Sequence, residues 1–226
     1  MVKLNLGCWK RNFPGFINID IINYPHVHFQ RSADDLSIFE DESVDLIYAS
    51  HVLEYFTLEE AKKALAEWRR VLKPSGILKV AVPDFEALVR VYNKYKDPLM
   101  LRGSIYAVVD KVVTVNDVAA IHKMFYDEKL LTKLLGETGF YNIHKYDWKE
   151  FLPKGALDRS AAYIPKNDFE NGILVSLNLE ASKSSEISAN LEKAKVEIEN
   201  IGKRAINKAK RVLRGELFKK KELYKI

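Results

Sequence analysis

Residues 43–55 read Ser43-Val44-Asp45-Leu46-Ile47-Tyr48-Ala49-Ser50-His51-Val52-Leu53-Glu54-Tyr55. The apolar run Val44 to Ala49 follows the acidic turn Glu40-Asp41-Glu42-Ser43 and predicts a buried strand. Thr57, with Glu60 three residues on, predicts a capping box and a helix over Leu58 to Leu72. Ala61, Leu65, Trp68 and Leu72 recur on one face of that helix. Lys73-Pro74-Ser75-Gly76 predicts its end, and Ile77 to Val82 predicts the next strand. Strand, helix and strand in this succession form a unit of parallel sheet.

The same alternation extends both ways. Toward the N-terminus, Val2 to Leu6 predicts a strand ending at Gly7, Phe16 to Ile22 a second carrying Asp20, and His28 to Gln30 a short third. The link from Gly7 to the second strand is so short that the first crossover helix must be vestigial. Beyond the central unit, Pro83-Asp84 opens a helix to about Tyr95, and Asp97 to Tyr126 reads as irregular with helical pieces. Asp127 caps a helix to about Thr138, stopped by Gly139. Asn142 to Trp148 and Ile173 to Ala181 predict two last strands, joined by a loop of about twenty residues, long enough to suggest a working role. The expected fold is α/β: a doubly wound, mostly parallel seven-stranded sheet with an antiparallel edge hairpin. Its ligands belong at the carboxyl ends of the strands.

Composition narrows the classes. With 226 residues there is room for one domain plus an appendage, and 47% hydrophobic residues suffice for a core. One cysteine, Cys8, excludes an intramolecular disulfide framework and suits a reducing cytoplasm. The N-terminal Met-Val-Lys-Leu-Asn-Leu-Gly does not read as a signal peptide, and no apolar run reaches the ~18 residues of a membrane span. The expected setting is cytoplasmic, with a peripheral membrane contact left open. Leu191 to Ile226 holds 12 Lys and Arg against 5 Asp and Glu, which leaves the remainder of the chain slightly negative. That distribution disfavours a basic nucleic-acid groove across the body. The tail positions Leu191, Ala194, Ile198, Ile201, Ala205, Ala209 and Val212 recur at three and four residues among lysines and arginines. They predict an amphipathic basic helix, with Gly202 and Gly215 as potential breaks. Such a helix packs on a protein, in an oligomer or complex, or attaches to an anionic membrane surface.

Two features suggest a ligand. A glycine closing the first strand lets backbone approach a bound molecule, and Asp20 at the end of the second can accept hydrogen bonds from ribose hydroxyls. Asp34-Asp35-Leu36 stands before the next strand, where an acid can accept from an adenine amino group while Leu36 packs on its ring.

The stretch Ser43 to Tyr55, joined to Arg70-Val71-Leu72-Lys73-Pro74-Ser75-Gly76-Ile77-Leu78, resembles the class I S-adenosylmethionine-dependent methyltransferases. In them an acidic-flanked strand ends in a Leu-Glu-His-like turn, and an Arg-x-Leu-Lys-Pro-Gly-Gly-like turn leads into the fifth strand. Here Tyr55 stands where His is usual and Ser75 replaces a glycine. Val82-Pro83-Asp84-Phe85-Glu86, His122-Lys123-Met124-Phe125 and Thr138-Gly139-Phe140 resemble a bacterial subgroup that accompanies glycan biosynthesis enzymes. The resemblance covers residues 2–182. It implies a Rossmann-like domain over 1–183, followed by a tail over 184–226. S-adenosylmethionine would be the cofactor: Gly7 and Cys8 beside its methionine part, Asp20 on the ribose, Asp35 and Leu36 at the adenine, Ser50 and His51 beside the sulfonium. Trp9 departs from the family, which has a glycine there.

Methyl transfer is a displacement in which the protein supplies alignment and, for a hydroxyl acceptor, a base. His122 is the first candidate, with Asp84 to orient it or the substrate, and His51 and Glu54 near the cofactor. Asp158 and Arg159, in the long loop, are candidates for acceptor contact. His26 and His28 lie two apart with no third ligand at a recognisable spacing, so no metal is expected. An Asn-Pro-Pro-Tyr or Asp-Pro-Pro-Tyr motif, which would point to an amino acceptor, does not follow the fourth strand. The resulting expectation is an O-methyltransferase for a sugar hydroxyl of a glycan or glycolipid. Its rivals are a small-metabolite or nucleic-acid methyltransferase, and a cofactor-binding pseudoenzyme or scaffold in which Trp9 closes the donor site.

Overall fold

The computed structural model describes residues 1–107 and 121–185 and, further on, Glu197, Ile201, Gly202, Lys203 and Ile206. Contacts divide the chain into two compact units, Met1–Ser185 and Glu186–Ile226. In the second unit the described positions are helical, Gly202 included, and Ile201 and Ile206 are exposed. The rest of the expected tail repeat lies outside the described residues.

In the first unit, β1 (Lys3–Leu6), β2 (Ile17–Asp20), β3 (Phe29–Gln30) and β4 (Val44–Ser50) precede the first long helix, α1 (Leu58–Val71). Then come β5 (Leu72–Pro83), α2 (Phe85–Tyr95), the short α3 (Arg102–Tyr106) and α4 (Glu128–Glu137). β6 (Tyr141–Lys145), α5 (Trp148–Phe151), the two-residue strands β7 (Tyr163–Ile164) and β8 (Ile173–Leu174), and β9 (Ser176–Ser182) complete it. Seven strands form one sheet in the order β3-β2-β1-β4-β5-β9-β6. The first five are parallel, and β9 runs antiparallel to both β5 and β6. This is the mostly parallel, Rossmann-like α/β sheet with an antiparallel edge; β9 lies inside and β6 at the rim.

The central unit forms for the reasons visible in its residues. Thr57 Oγ1 accepts from Glu60 N while the Glu60 carboxylate accepts from Thr57 N, closing the capping box. Ala61, Ala64, Leu65, Trp68 and Val71 face the core. The helix ends one residue early, because Leu72 already pairs with Val44 as the first residue of β5. Lys73 to Gly76, expected as a free turn, is instead a bulged part of that strand. A side chain at Gly76 would meet Lys73 O at 2.8 Å, so the bulge closes too tightly for anything larger.

The link between β1 and β2 has no helix. Phe13, in that link, packs with Tyr48, Trp148, Leu152 and Ala161. Asparagines tie the same loop to the sheet: Asn5 Nδ2 donates to Asn18 Oδ1 at 3.0 Å, and Asn18 Nδ2 to Asn12 Oδ1 at 2.9 Å. The strand expected over Asn142 to Trp148 stops at Lys145, because Asp147 caps α5 through Lys149 N. The strand expected from Ile173 splits at Val175: β8 pairs with β7, and β9 joins the main sheet. The long loop is therefore a structured segment.

Trp68 ties the helix to the loop before β4: its indole Nε1 donates to Ala33 O at 2.7 Å in the buried core. Trp68→Phe removes that donor and leaves Ala33 O unsatisfied. The expected cost is ~1–3 kcal/mol, read in a thermal melt as a fall of ~2–4 °C per kcal/mol. An unchanged melting temperature would show that this indole bond does not hold the loop.

Candidate functional site

The carboxyl ends of β1, β2 and β4 open onto one cavity of about 590 Å³, inside the ~300–1,000 Å³ range of small-molecule sites. Asp20, Ile21, Ile22, Ser32, Ala33 and Asp34 line it, together with Gly7, Ser50, His51 and Tyr55 and, from later in the chain, Gly103, Ser104, Ala107, His122 and Arg159.

Asp20 ends β2 almost fully buried. Its Oδ2 accepts from Trp9 N at 2.7 Å and its Oδ1 from Ile22 N at 2.8 Å. Each carboxylate oxygen keeps a second lone pair, so the group is fixed in orientation and still able to accept from a ligand. Gly7 has φ +60, and a Cβ there would stand 2.4 Å from Val52 Cγ2. Only glycine lets the chain turn at this place. Trp9, where the resembled family has glycine, adopts a φ of +44 and lines the cavity while its indole stays half exposed. The side chain borders the space, and the backbone does what a glycine would.

At the end of β4, Ser50 Oγ is buried with no hydrogen-bond partner among the described residues, and so are both oxygens of Glu54. Glu54 Oε1 lies 3.2 Å from His51 Nδ1 and 3.7 Å from His122 Nε2, an ion-pair approach without hydrogen-bond alignment. His51 Nε2 is 3.1 Å from Ser176 Oγ, which lies 2.9 Å from Asn178 Oδ1; Asn178 Nδ2 donates to Ser160 O at 2.9 Å. That last donation orients the amide, so Ser176 must donate to Asn178 and accept from His51 Nε2–H. His122 Nδ1 is 2.9 Å from Ser104 O, a carbonyl that can only accept, so this nitrogen carries the hydrogen. In the neutral ring, Nε2 is then the basic nitrogen. Burial pushes the His122 pKa below its usual 6.5, while Glu54 pulls it back up. Tyr55 packs edge-on against His122, and burial pushes its phenol up to about 12.

The structure corrects four expectations. Leu36 is wholly buried in the core and cannot reach an adenine ring. Asp35 turns away to Arg31 and Ser37, so Asp34 is the acid on the cavity wall. The Cys8 side chain is buried, with Sγ 3.8 Å from His26 Nε2, and burial raises its thiol to about 12. It does not line the cavity. Asp84 caps α2 through Ala87 N and lies outside the cavity lining. Of the two loop candidates, Asp158 is tied inward and Arg159 lines the cavity. Among the described residues no group of three or more His, Cys, Asp or Glu is arranged to hold a metal ion. No described helix is long and apolar enough to cross a membrane.

A family model described as "Methyltransferase domain" matches residues 15–80, which run from the start of β2 into β5 and include Asp20, Ser50, His51 and Glu54. The match covers less than a third of the chain. An uncharacterized protein of Haemophilus influenzae is 44% identical over 52 residues, 23% of this chain and only 21% of the relative. Among solved structures, a SAM-dependent methyltransferase from Thermotoga maritima is 16% identical over 81% of this chain and 82% of that one, with a TM-score of 0.49. One from Methanosarcina mazei is 18% identical over 81% and 92%, with a TM-score of 0.47. The cofactor of a methyltransferase domain of this kind is S-adenosylmethionine. The cavity fits it: Asp20 offers two oriented acceptors, Gly7 leaves no side chain in the way, and Ser50 Oγ, with no hydrogen-bond partner among the described residues, belongs to a residue on the cavity wall and can meet a polar group.

Proposed function

We propose that the protein transfers a methyl group from S-adenosylmethionine to a hydroxyl oxygen of a sugar-like acceptor, as part of building a glycan or glycolipid. The observation that carries this reading is the basic Nε2 of His122, a side chain that lines the same cavity as Asp20. The bound cofactor supplies an electrophilic methyl on an excellent leaving group. Asp20 holds the ribose and Asp34 lies within the wall beside the adenine. Gly7, Ser50 and His51 border the methionine end. The acceptor hydroxyl gives its proton to His122 Nε2 as its oxygen takes the methyl. Glu54, between the two histidines, offsets the positive charge that then develops on the ring. Tyr55 and Phe56 offer aromatic surface against which a sugar ring can lie. The basic tail adds an electrostatic attachment to an anionic membrane surface or a polymer-building complex.

The test is turnover. The full chain, given S-adenosylmethionine labelled in the methyl group, is incubated with free sugars, sugar acids and sugar phosphates. Label recovered as an acid-stable methyl ether on the sugar is expected. A protein that binds S-adenosylhomocysteine yet labels no sugar, while labelling amines or nucleic acid, would refute the sugar-hydroxyl reading. Binding with no turnover on any acceptor would favour the scaffold.

A further inference from the structure

The charged groups around the cavity are nearly all matched. Arg31 pairs with Asp35, and Lys123 with Glu60. Asp20 accepts two backbone N–H bonds, and Asp34 accepts from Ser32. Arg159 differs. It is exposed, it lines the cavity together with His122, and its guanidinium meets no carboxylate among the described residues. Its charge is felt at Tyr55 and His122, so it stands within electrostatic range of the proposed base.

The nearest acid in sequence, Asp158, cannot turn to neutralise it. Asp158 Oδ2 accepts from Tyr48 OH at 2.6 Å, and Oδ1 accepts from Ser160 N at 2.8 Å and Ser160 Oγ at 2.6 Å. Tyr48 and Ser160 are wholly buried. Ser160 O in turn accepts from Asn178, which is joined through Ser176 to His51. Both neighbours of Arg159 are thus held in one network that starts on β4, crosses β9 and ends at His51. An arginine on such a fixed turn, with no carboxylate partner among the described residues, is preorganised for a ligand, because the ordering cost is met before binding. A planar guanidinium matches an oxyanion with two parallel donors.

We propose that the acceptor is anionic: a sugar-like molecule whose carboxylate or phosphate is clamped by Arg159 while its hydroxyl lies against His122. The inference rests on the methyltransferase reading above and names the acceptor class for that site. Arg159 then determines specificity, because a neutral sugar leaves the guanidinium without a partner inside the cavity.

The experiment uses the full chain saturated with S-adenosylhomocysteine and titrated with glucuronate, glucose 6-phosphate and glucose in a calorimeter. At least one charged probe should bind about 10–100-fold more tightly than glucose, the effect of one bidentate charge-assisted contact. Arg159→Gln should erase that advantage and Arg159→Lys should retain part of it, with S-adenosylhomocysteine affinity unchanged in both. The stronger of the two charged probes distinguishes carboxylate from phosphate. Equal binding of charged and neutral probes, no binding of any, or an Arg159→Gln variant that keeps the preference overturns the proposal. Failure of the wild type to bind S-adenosylhomocysteine is a separate result, which removes the methyltransferase reading itself.

Discussion

Asp20→Ala is expected to weaken S-adenosylhomocysteine binding by at least ~100-fold, since it removes two charge-assisted acceptors worth ~1.5–3 kcal/mol each. The argument rests on preorganisation. The Trp9 and Ile22 amides fix the carboxylate before any ligand arrives, so little is spent on orienting it. The same two amides lose their acceptor in the variant, so a stability cost of ~1–3 kcal/mol accompanies the change. Asp20→Asn keeps one carbonyl acceptor and sets its NH2 against the other backbone N–H, so it should retain an intermediate affinity while still costing stability. Calorimetric titration with a thermal melt of each variant reads both. An Asp20→Ala protein that binds like the wild type would show that the ribose is held elsewhere.

The second large effect is on the rate. His122→Gln should lower kcat by ~10²–10⁴, the usual contribution of a positioned base, while S-adenosylhomocysteine affinity stays as it was. The pH profile distinguishes this from a structural role. Burial depresses the folded-state pKa of His122 below 6.5, so the ring is neutral near neutral pH and the rate falls only on the acid side of that value. Glu54 opposes the depression, so Glu54→Gln should move this acid limb to still lower pH. Stability follows the same sign. A histidine whose folded pKa is lowered costs nothing above its unfolded value and destabilises the fold as pH drops through the folded one. His122→Gln should therefore flatten the loss of stability below pH 6.5. A His122→Gln enzyme with full kcat and an unmoved acid limb would remove the residue from the chemistry.

Much of the scaffold was legible because local signals there agree with the tertiary answer. The capping box at Thr57, the helix caps at Asp84 and Asp127, the terminal glycines and the alternation of strand and helix all say the same thing. Asp20 and the turn after β4 could be found the same way, from their place at strand ends. Distances in the chain hid the rest. Asp35 against Asp34 is a choice of one residue, settled by whether Arg31 or Ser32 captures the carboxylate. Leu36 was drawn into the core by packing, which pattern alone does not distinguish from packing on a ligand. Glu54 between His51 and His122 is a meeting of residues from distant segments. Arg159 drew notice only as a loop charge. Its importance depends on Asp158 being engaged by Tyr48, 110 positions earlier in the chain.

The place of β9 bears on how the chain reaches this structure. Residues Ile77 to Pro83 of β5 find their outer partner in Ser182 to Ser176, a pairing between segments separated by most of the domain. Until that late segment is made, β5 is an unpaired edge whose last residues, Val80 to Pro83, are all buried in the finished fold, the kind of edge that recruits foreign strands. Contacts of such high sequence separation also slow the search for the native state. Synthesis therefore passes through a stage in which Asp20, His51 and Glu54 already exist but the sheet that steadies them is open on one side. Expression of fragments ending before Ser176 would meet that stage permanently, as aggregation.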